Sequence, residues 1–477
     1  MKRFLGILTL LLAGCGGARE ELPAREENPE LKVFLSSYNV IPDEQGLVEV
    51  EVELKGLPKS SSLTVVRKGR TEFSKRVGAG ILAERFTFQS PLAVDELAEV
   101  VFEFFLTGKD KSVSPTTTLF VDNSAPRESK QLKFKNFTVL SRVTGKEDNA
   151  HDGLPKVLYT LYNNTHTRFD VGGTDLGITW EIRPGKYGMF FGDTFGADFT
   201  PNLHAPNPGG SNWRGNVLLF SEDTDLSDGL EITGAATDYQ GRAREICYSA
   251  HITDGNSDYT SIPTGAVHAG GAEYVHYMNI RTWYGWISNF SSYFKSTDGG
   301  ETWSRVQDVA FASRSNFGQV GLFNHEGYVY IIGTVTGRSS SPCLARVKED
   351  RMDFQGEYEF WNGTGWIVDN EGAAAPIFDD FSGELSFAWF PRWRKWIILY
   401  LNEQRNDEIT LRYADNIIGP WSDPQVLTDG TSFWRPYGSF IHPLSLQGGD
   451  RLYFIMSAWN AYNTYLISCR LFEEEDG

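Results

Sequence analysis

Helical periodicity is what this sequence most lacks. Beyond residue 137 almost no window carries apolar residues at a 3.6-residue spacing, which argues against a helical bundle or an α/β sheet for most of the chain. Basic charge is short as well. With 44 Lys and Arg against 62 Asp and Glu the net charge is -18, so a partner gripped by its phosphates, nucleic acid above all, lacks the cations it would need. Cysteine is scarce, and Cys247, Cys343 and Cys469 show no short metal-type spacing. They read as small buried apolar residues, with one disulfide left open and its pair undetermined. After the first residues no apolar run reaches the ~18 residues of a membrane-spanning helix.

What is present begins with a targeting segment. Lys2 and Arg3 precede the apolar run Phe4 to Leu12 and the small residues Ala13 and Gly14. Leu12-Ala13-Gly14-Cys15 resembles a bacterial lipobox, in which Cys15 is lipidated. Residues 1–15 are therefore expected to be a lipoprotein signal, and 16–30, rich in Glu, Arg and Pro, a flexible tether. Gly16 rather than Asp after the cysteine resembles an outer-membrane sorting signal. The expected location is the outer membrane or cell surface, with the lipid as the only membrane contact.

A chain of 477 residues exceeds the ~250–300 that one core supports, so at least two domains are expected. Residues 31–123 carry alternating runs such as Leu47 to Leu54, and also Ser62 to Val66, Arg85 to Phe88, Glu99 to Leu106 and Thr116 to Val121. About seven short strands in that length predict an immunoglobulin-like sandwich, an accessory domain without evident chemistry. Residues 124–136, rich in Ser, Arg and Lys, read as a linker. From 137 to 475 strand follows strand between Gly, Asn, Asp and Pro turns, too many for one sandwich, and a β-propeller is predicted. Apolar segments recur at Gly188 to Gly192, Glu273 to Tyr277, Gly327 to Ile331, Lys395 to Leu399 and Arg451 to Ile455, which predicts five blades. Spacing alone leaves six open.

Two turns sharpen the architecture. Ser296 to Trp303 (Ser-Thr-Asp-Gly-Gly-Glu-Thr-Trp) resembles the Asp-box of glycan-active propellers, and Ala414 to Ser422 resembles a hairpin end of arabinanase-like propellers. Both are structural signals.

Aromatic content, 13 Trp, 20 Tyr and 32 Phe, suits either an all-β core or sugar-ring stacking. Cleaving a glycosidic bond needs two carboxyl groups, so acids matter in pairs. Asp175, in Gly172 to Gly177, and Asp193, eighteen residues on in Phe190 to Phe195, each lie beside glycines that let a ligand approach, although an Asx-turn explains either one equally well. Glu384 is a candidate third acid at the mouth or a structural one. Arg338 and Arg214 offer forked donors for hydroxyls, or interblade ion pairs. Trp213, Trp459 and Tyr462 are candidate stacking platforms, with Tyr437, Asn316 and His442 as further substrate-binding candidates. His268, His276 and His442 make no ligand spacing, so no metal and no cofactor is predicted.

From about Asp152 to Phe472 the chain resembles a propeller family first described as domain of unknown function 4185 and now grouped as glycoside hydrolase family 183, the endo-D-arabinanases. The matching stretches include Gly173 to Gly177, Gly192 to Phe195, Trp213 to Asn216, Pro263 to Ala266, Thr334 to Arg338, Tyr358 to Trp361, Gly383 to Ser386 and Tyr437 to Pro443. The resemblance implies that Asp175 and Asp193 are the catalytic acids, with their two roles open, and that the substrate is an arabinofuranose polymer such as mycobacterial arabinogalactan or lipoarabinomannan. A mechanism of two carboxyl groups needs no cofactor, and a monomer is expected. The alternatives are a glycan-binding surface lipoprotein without catalysis, a structural or adhesive surface protein, another furanosidase, or a sialidase-like enzyme, for which no arginine triad can be assembled.

Overall fold

The computed structural model describes residues 130–146, 156–201, 209–433 and 435–474, together with strand segments between 9 and 122. Cys15, the tether and residues 124–129 lie outside the described residues. The chain divides into two compact units, residues 1–130 with Pro391–Trp393 and Ser445–Asp450, and the remainder from Gln131 onward.

The first unit carries two sheets. In one, Leu47–Lys55 pairs antiparallel with Ala83–Gln89 and with Lys32–Leu35. In the other, Ser61–Arg67 pairs with Arg70–Val77 and Glu99–Thr107, and Glu99–Thr107 with Thr117–Asp122.

The second unit is a five-bladed β-propeller. Each blade is an antiparallel sheet, and in the first four the strands run outward from a central channel in chain order. The first comprises Leu176–Arg183, Lys186–Phe191, Val217–Ser221 and Gly234–Ala235. The second comprises Thr260–Ala269, Ala272–Thr282, Ile287–Ser296 and Ser304–Arg305, with Phe311–Ala312 against the third strand. The third comprises Gln319–His325, Tyr328–Thr334, Cys343–Lys348, Glu359–Trp361 and Trp366–Val368, and the fourth Leu385–Phe390, Lys395–Asn402, Glu408–Ala414 and Gln425–Thr428. The fifth takes Pro436–Ile441, Arg451–Ala458 and Asn463–Glu473 from the end of the chain and its outermost strand, Leu132–Arg142, from the beginning of the propeller. Neighbouring innermost strands lie against one another, and the fifth meets the first, so the ring is closed.

Every one of the five repeated apolar segments falls on the second strand of a blade. Such strands are covered by adjacent blades on both faces, so they read as continuous apolar runs; all eight residues of Lys395–Asn402 are buried. The core accordingly lies between blades. One cluster joins Tyr187, Met189 and Leu219 of the first blade to Ile455 and Leu466 of the fifth, and another joins Ile332 and Leu344 of the third to Phe387 and Ile398 of the fourth.

The outer strand of the fifth blade begins at Leu132, five residues before the expected start of the propeller, so residues 132–136 are ladder and not linker. Their lysines face solvent, which is why the segment looked like a connector: Lys135 and Asn136 are exposed while Leu132 is buried. The Asp-box resemblance holds in detail. Asp298 Oδ1 accepts the N–H groups of Glu301 and Thr302 at 3.1 and 2.9 Å, and Trp303 packs edge-on to Phe190 at 5.3 Å. Cys247, Cys343 and Cys469 are free and buried. Among the described residues no helix is long and apolar enough to cross a membrane.

Candidate active site

Asp175 stands one residue ahead of the innermost strand of the first blade, where the backbone is kinked. Leu176 has φ 69° and Gly177 φ 103°, and the register slips between Leu176, opposite Phe191, and Ile178, opposite Phe190. A left-handed leucine stores strain on the order of 1–3 kcal/mol and persists only where its surroundings hold it. Here the fifth blade does so: Leu176 N–H donates to Ser457 Oγ at 2.7 Å, and Thr174 N–H to the Tyr462 carbonyl at 2.9 Å. Bulges of this kind re-aim side chains, and this one turns Asp175 toward the channel mouth.

The ladder resumes beyond the kink. Gly173 bridges Phe195, and Thr174 Oγ1 lies 2.6 Å from Thr194 Oγ1. That register sets Asp175 across from Asp193, and opposed residues of an antiparallel pair share one face. Gly192 makes the approach possible, because a Cβ there would sit 2.3 Å from Asp175 Oδ1.

Both carboxyls border a cavity of about 690 Å³ to which all five blades contribute. Burial first, and then the charge of Asp193, pushes Asp175 up to about 8, against the hydrogen bond that Tyr437 Oη donates to its Oδ2 at 2.9 Å. Asp193 rises to about 7, again mainly by burial. Its Oδ1 accepts from Trp213 Nε1 at 2.9 Å and Thr260 Oγ1 at 3.3 Å, bonds that favour the ionised form. A third carboxylate, Glu384, is gripped by Arg338, whose Nη2 lies 2.8 Å from Glu384 Oε1 and whose Nη1 lies 2.8 Å from Glu403 Oε1. Arg338 is thus an interblade ion pair and a cavity wall at once. Its guanidinium stacks between Trp286 and Tyr437, at 5.0 and 5.4 Å from their ring centres.

Of the residues singled out from sequence, Asp175, Asp193, Glu384, Arg338, Trp213, Tyr437, Trp459 and Tyr462 meet on this cavity. Three do not. Arg214 donates to the carbonyls of Asn212, Ala243 and Asp170 at 3.0, 2.8 and 2.6 Å, so its fork ties loops together, and it does not border the cavity. His442 is fully buried against Tyr187 at 4.8 Å, and burial holds its ring down to about 3, neutral and in the core. Asn316 lies in the turn before the third blade and does not border the cavity. His276 is likewise a core residue, 2.6 Å from Thr264 Oγ1. Among the described residues no three His, Cys, Asp or Glu side chains form a metal-binding group.

Tyr259, Trp283, Trp286 and Gln319 are among the lining residues that went unnoticed in the sequence. The tryptophans had a signal. Trp283-Tyr284-Gly285-Trp286 is the hairpin tip between the second and third strands of the second blade, where polar residues are the rule. Gln319 had none, because a lone glutamine in a strand carries no pattern.

Residues 161–468 match the family model described as Domain of unknown function (DUF4185). Two fungal relatives are similar in sequence. Notoamide biosynthesis cluster protein J of Aspergillus sp. (strain MF297-2) is 27% identical over 68% of this chain and 90% of its own length. Notoamide biosynthesis cluster protein J' of Aspergillus versicolor is 28% identical over 62% and 83%. Among solved structures, a family 117 glycoside hydrolase produced by the marine bacterium Zobellia galactanivorans is 12% identical, with a TM-score of 0.37 over 72% of this chain and 90% of that one. An alpha-L-arabinofuranosidase from Podospora anserina is 10% identical, with a TM-score of 0.37 over 72% and 98%. With a family match running through well over half of its length, this chain belongs to the DUF4185 family.

Proposed function

We propose that this protein is a glycoside hydrolase that cuts arabinofuranosyl linkages inside a polymer, with D-arabinan of the mycobacterial type as its substrate. The observation that carries this reading is the pair of opposed aspartates, both resisting ionisation, on one aromatic-walled cavity. Asp175, buried beside the charge of Asp193, protonates the leaving oxygen. Asp193, whose Oδ1 is steadied by Trp213 and Thr260, works at the anomeric carbon as base or nucleophile. Burial keeps a proton on Asp175 near neutral pH, which a free carboxyl would have lost. Rings of Trp213, Tyr259, Trp283, Trp286 and Trp459 offer faces to successive sugars. Arg338, the one cation on the cavity wall among the described residues, is already balanced by two carboxylates, which favours a neutral glycan over a sialoside or uronate. The chemistry needs no cofactor.

The test is incubation of the purified chain with arabinogalactan, plant L-arabinan and sialosides, followed by sizing of the products. Short oligosaccharides from arabinogalactan alone are expected. Binding without cleavage would instead identify a glycan-capturing protein.

Within the same reading, residues 1–15 are a lipoprotein signal, Cys15 carries the lipid that holds the protein at the outer membrane or cell surface, and the first unit is an immunoglobulin-like spacer. The protein acts as a monomer. Cys15→Ala should release it from the membrane fraction, and retention there would remove the anchor.

A further inference from the structure

Gln319 opens the innermost strand of the third blade and is only 2% exposed. It borders the cavity that holds Asp175, yet neither its Oε1 nor its Nε2 has a hydrogen-bond partner among the described residues. A primary amide brings two donors and an acceptor, and leaving such a group buried and unmatched is costly. Nearby Thr264 does not relieve it. Thr264 Oγ1 is engaged with His276 Nδ1 at 2.6 Å and with the Val320 N–H at 3.1 Å.

Two further polar atoms on the same cavity are also without partners among the described residues, the donor Trp459 Nε1 and the carboxyl oxygen Asp175 Oδ1. The walls therefore present an indole N–H, a carboxyl oxygen that donates while it keeps its proton and accepts once ionised, and an amide that does both. A ligand that satisfies them must itself mix donors and acceptors at short spacing, as hydroxyls do.

We propose that Gln319 is a specificity-determining residue whose amide recognises two adjacent hydroxyls of a neutral furanose ring, Oε1 accepting from one and Nε2 donating to the other. The inference deepens the glycoside hydrolase reading and rests on it for the class of sugar. A site built to hydrogen-bond a hydroxyl rejects the analogue that lacks it, because its own buried groups are then left bare.

The test is calorimetric titration of the full chain with methyl α-D-arabinofuranoside and with its 2-deoxy and 3-deoxy counterparts. The wild-type protein should prefer the intact sugar to at least one deoxy sugar by about 10- to 100-fold. Gln319→Leu should abolish that preference while melting at or above the wild-type temperature, since an unmatched amide has been removed. Gln319→Glu keeps the acceptor, loses the donors and should retain only part of the preference. Equal discrimination by wild type and Gln319→Leu, no discrimination by wild type, or a large loss of stability in Gln319→Leu would each overturn the proposal. The two readings separate cleanly. Discrimination without cleavage of arabinan removes the hydrolase and leaves the subsite, whereas cleavage without any dependence on Gln319 removes the subsite alone.

Discussion

Asp175 is hemmed in by the phenol of Tyr437, the bare backbone of Gly192 and the opposed Asp193, and the phenol and Asp193 both bear on when it ionises. Replacing either aspartate by asparagine keeps the shape and removes the proton chemistry. Asp175→Asn and Asp193→Asn are each expected to lower turnover by about 10²–10⁴-fold or more without a fall in melting temperature, measured on an arabinan substrate. Retained activity with a fall in stability would make them turn residues. The same carboxyls link stability to pH. Unfolded, Asp175 loses its proton near 3.8, but in the folded protein it keeps it to about 8. Between those values the unfolded state ionises more readily, so this group's contribution to stability is full at low pH and lost as pH rises toward 8. Relative to wild type, Asp175→Asn should therefore gain melting temperature on going from pH 5 to pH 8. A difference that does not vary with pH would show that the carboxyl ionises freely.

Elements explain why only part of the site could be read in advance. The kink at Leu176 and Gly177 was visible as a glycine-rich run, yet its purpose appears only where Ser457 caps it from another blade. The turn Ser296 to Trp303 is the opposite case, because the hydrogen bonds that form it are local and so legible. Asp298 is held down to about 2, chiefly by the Thr302 hydroxyl at 2.6 Å and the backbone N–H of the same residue. A depressed carboxylate stabilises the fold above its unfolded value and loses that contribution as the solution is acidified. Asp298→Ala should cost on the order of 1 kcal/mol at pH 7, comparable to the loss of a helix cap. The deficit should shrink toward pH 2 in thermal melts, while kcat stays unchanged because Asp298 does not border the cavity. A change in kcat would give the turn a role in the reaction.

At the scale of the whole propeller, the site depends on ring closure. The outer strand Leu132–Arg142 completes the fifth blade, and the fifth blade supplies the Ser457 hydroxyl and the Tyr437 phenol that hold Leu176 and Asp175. Leu140 of that outer strand is 3% exposed, in the cluster that joins the fifth blade to the first. Leu140→Ala should destabilise the propeller by about 2–5 kcal/mol in denaturant titration. Substrate cleavage should fail at a lower temperature than in the wild type. Near-wild-type stability would mean that closure of the ring does not depend on this contact.

What the sequence determined by itself is whatever depends on neighbours along the chain. Blade centres show as doubly covered apolar strands, the Asp-box turn as a run of Asp, Gly and Trp, and the two aspartates as acids set among glycines. Tertiary structure decided which side chains face the channel. It drew Arg214 and His442 into loops and core, and brought Gln319 and the Trp283 to Trp286 hairpin to the mouth. The reason is geometric: the bond between Tyr437 and Asp175 joins residues 262 positions apart, and no local periodicity can specify a contact that exists only once the first blade meets the fifth.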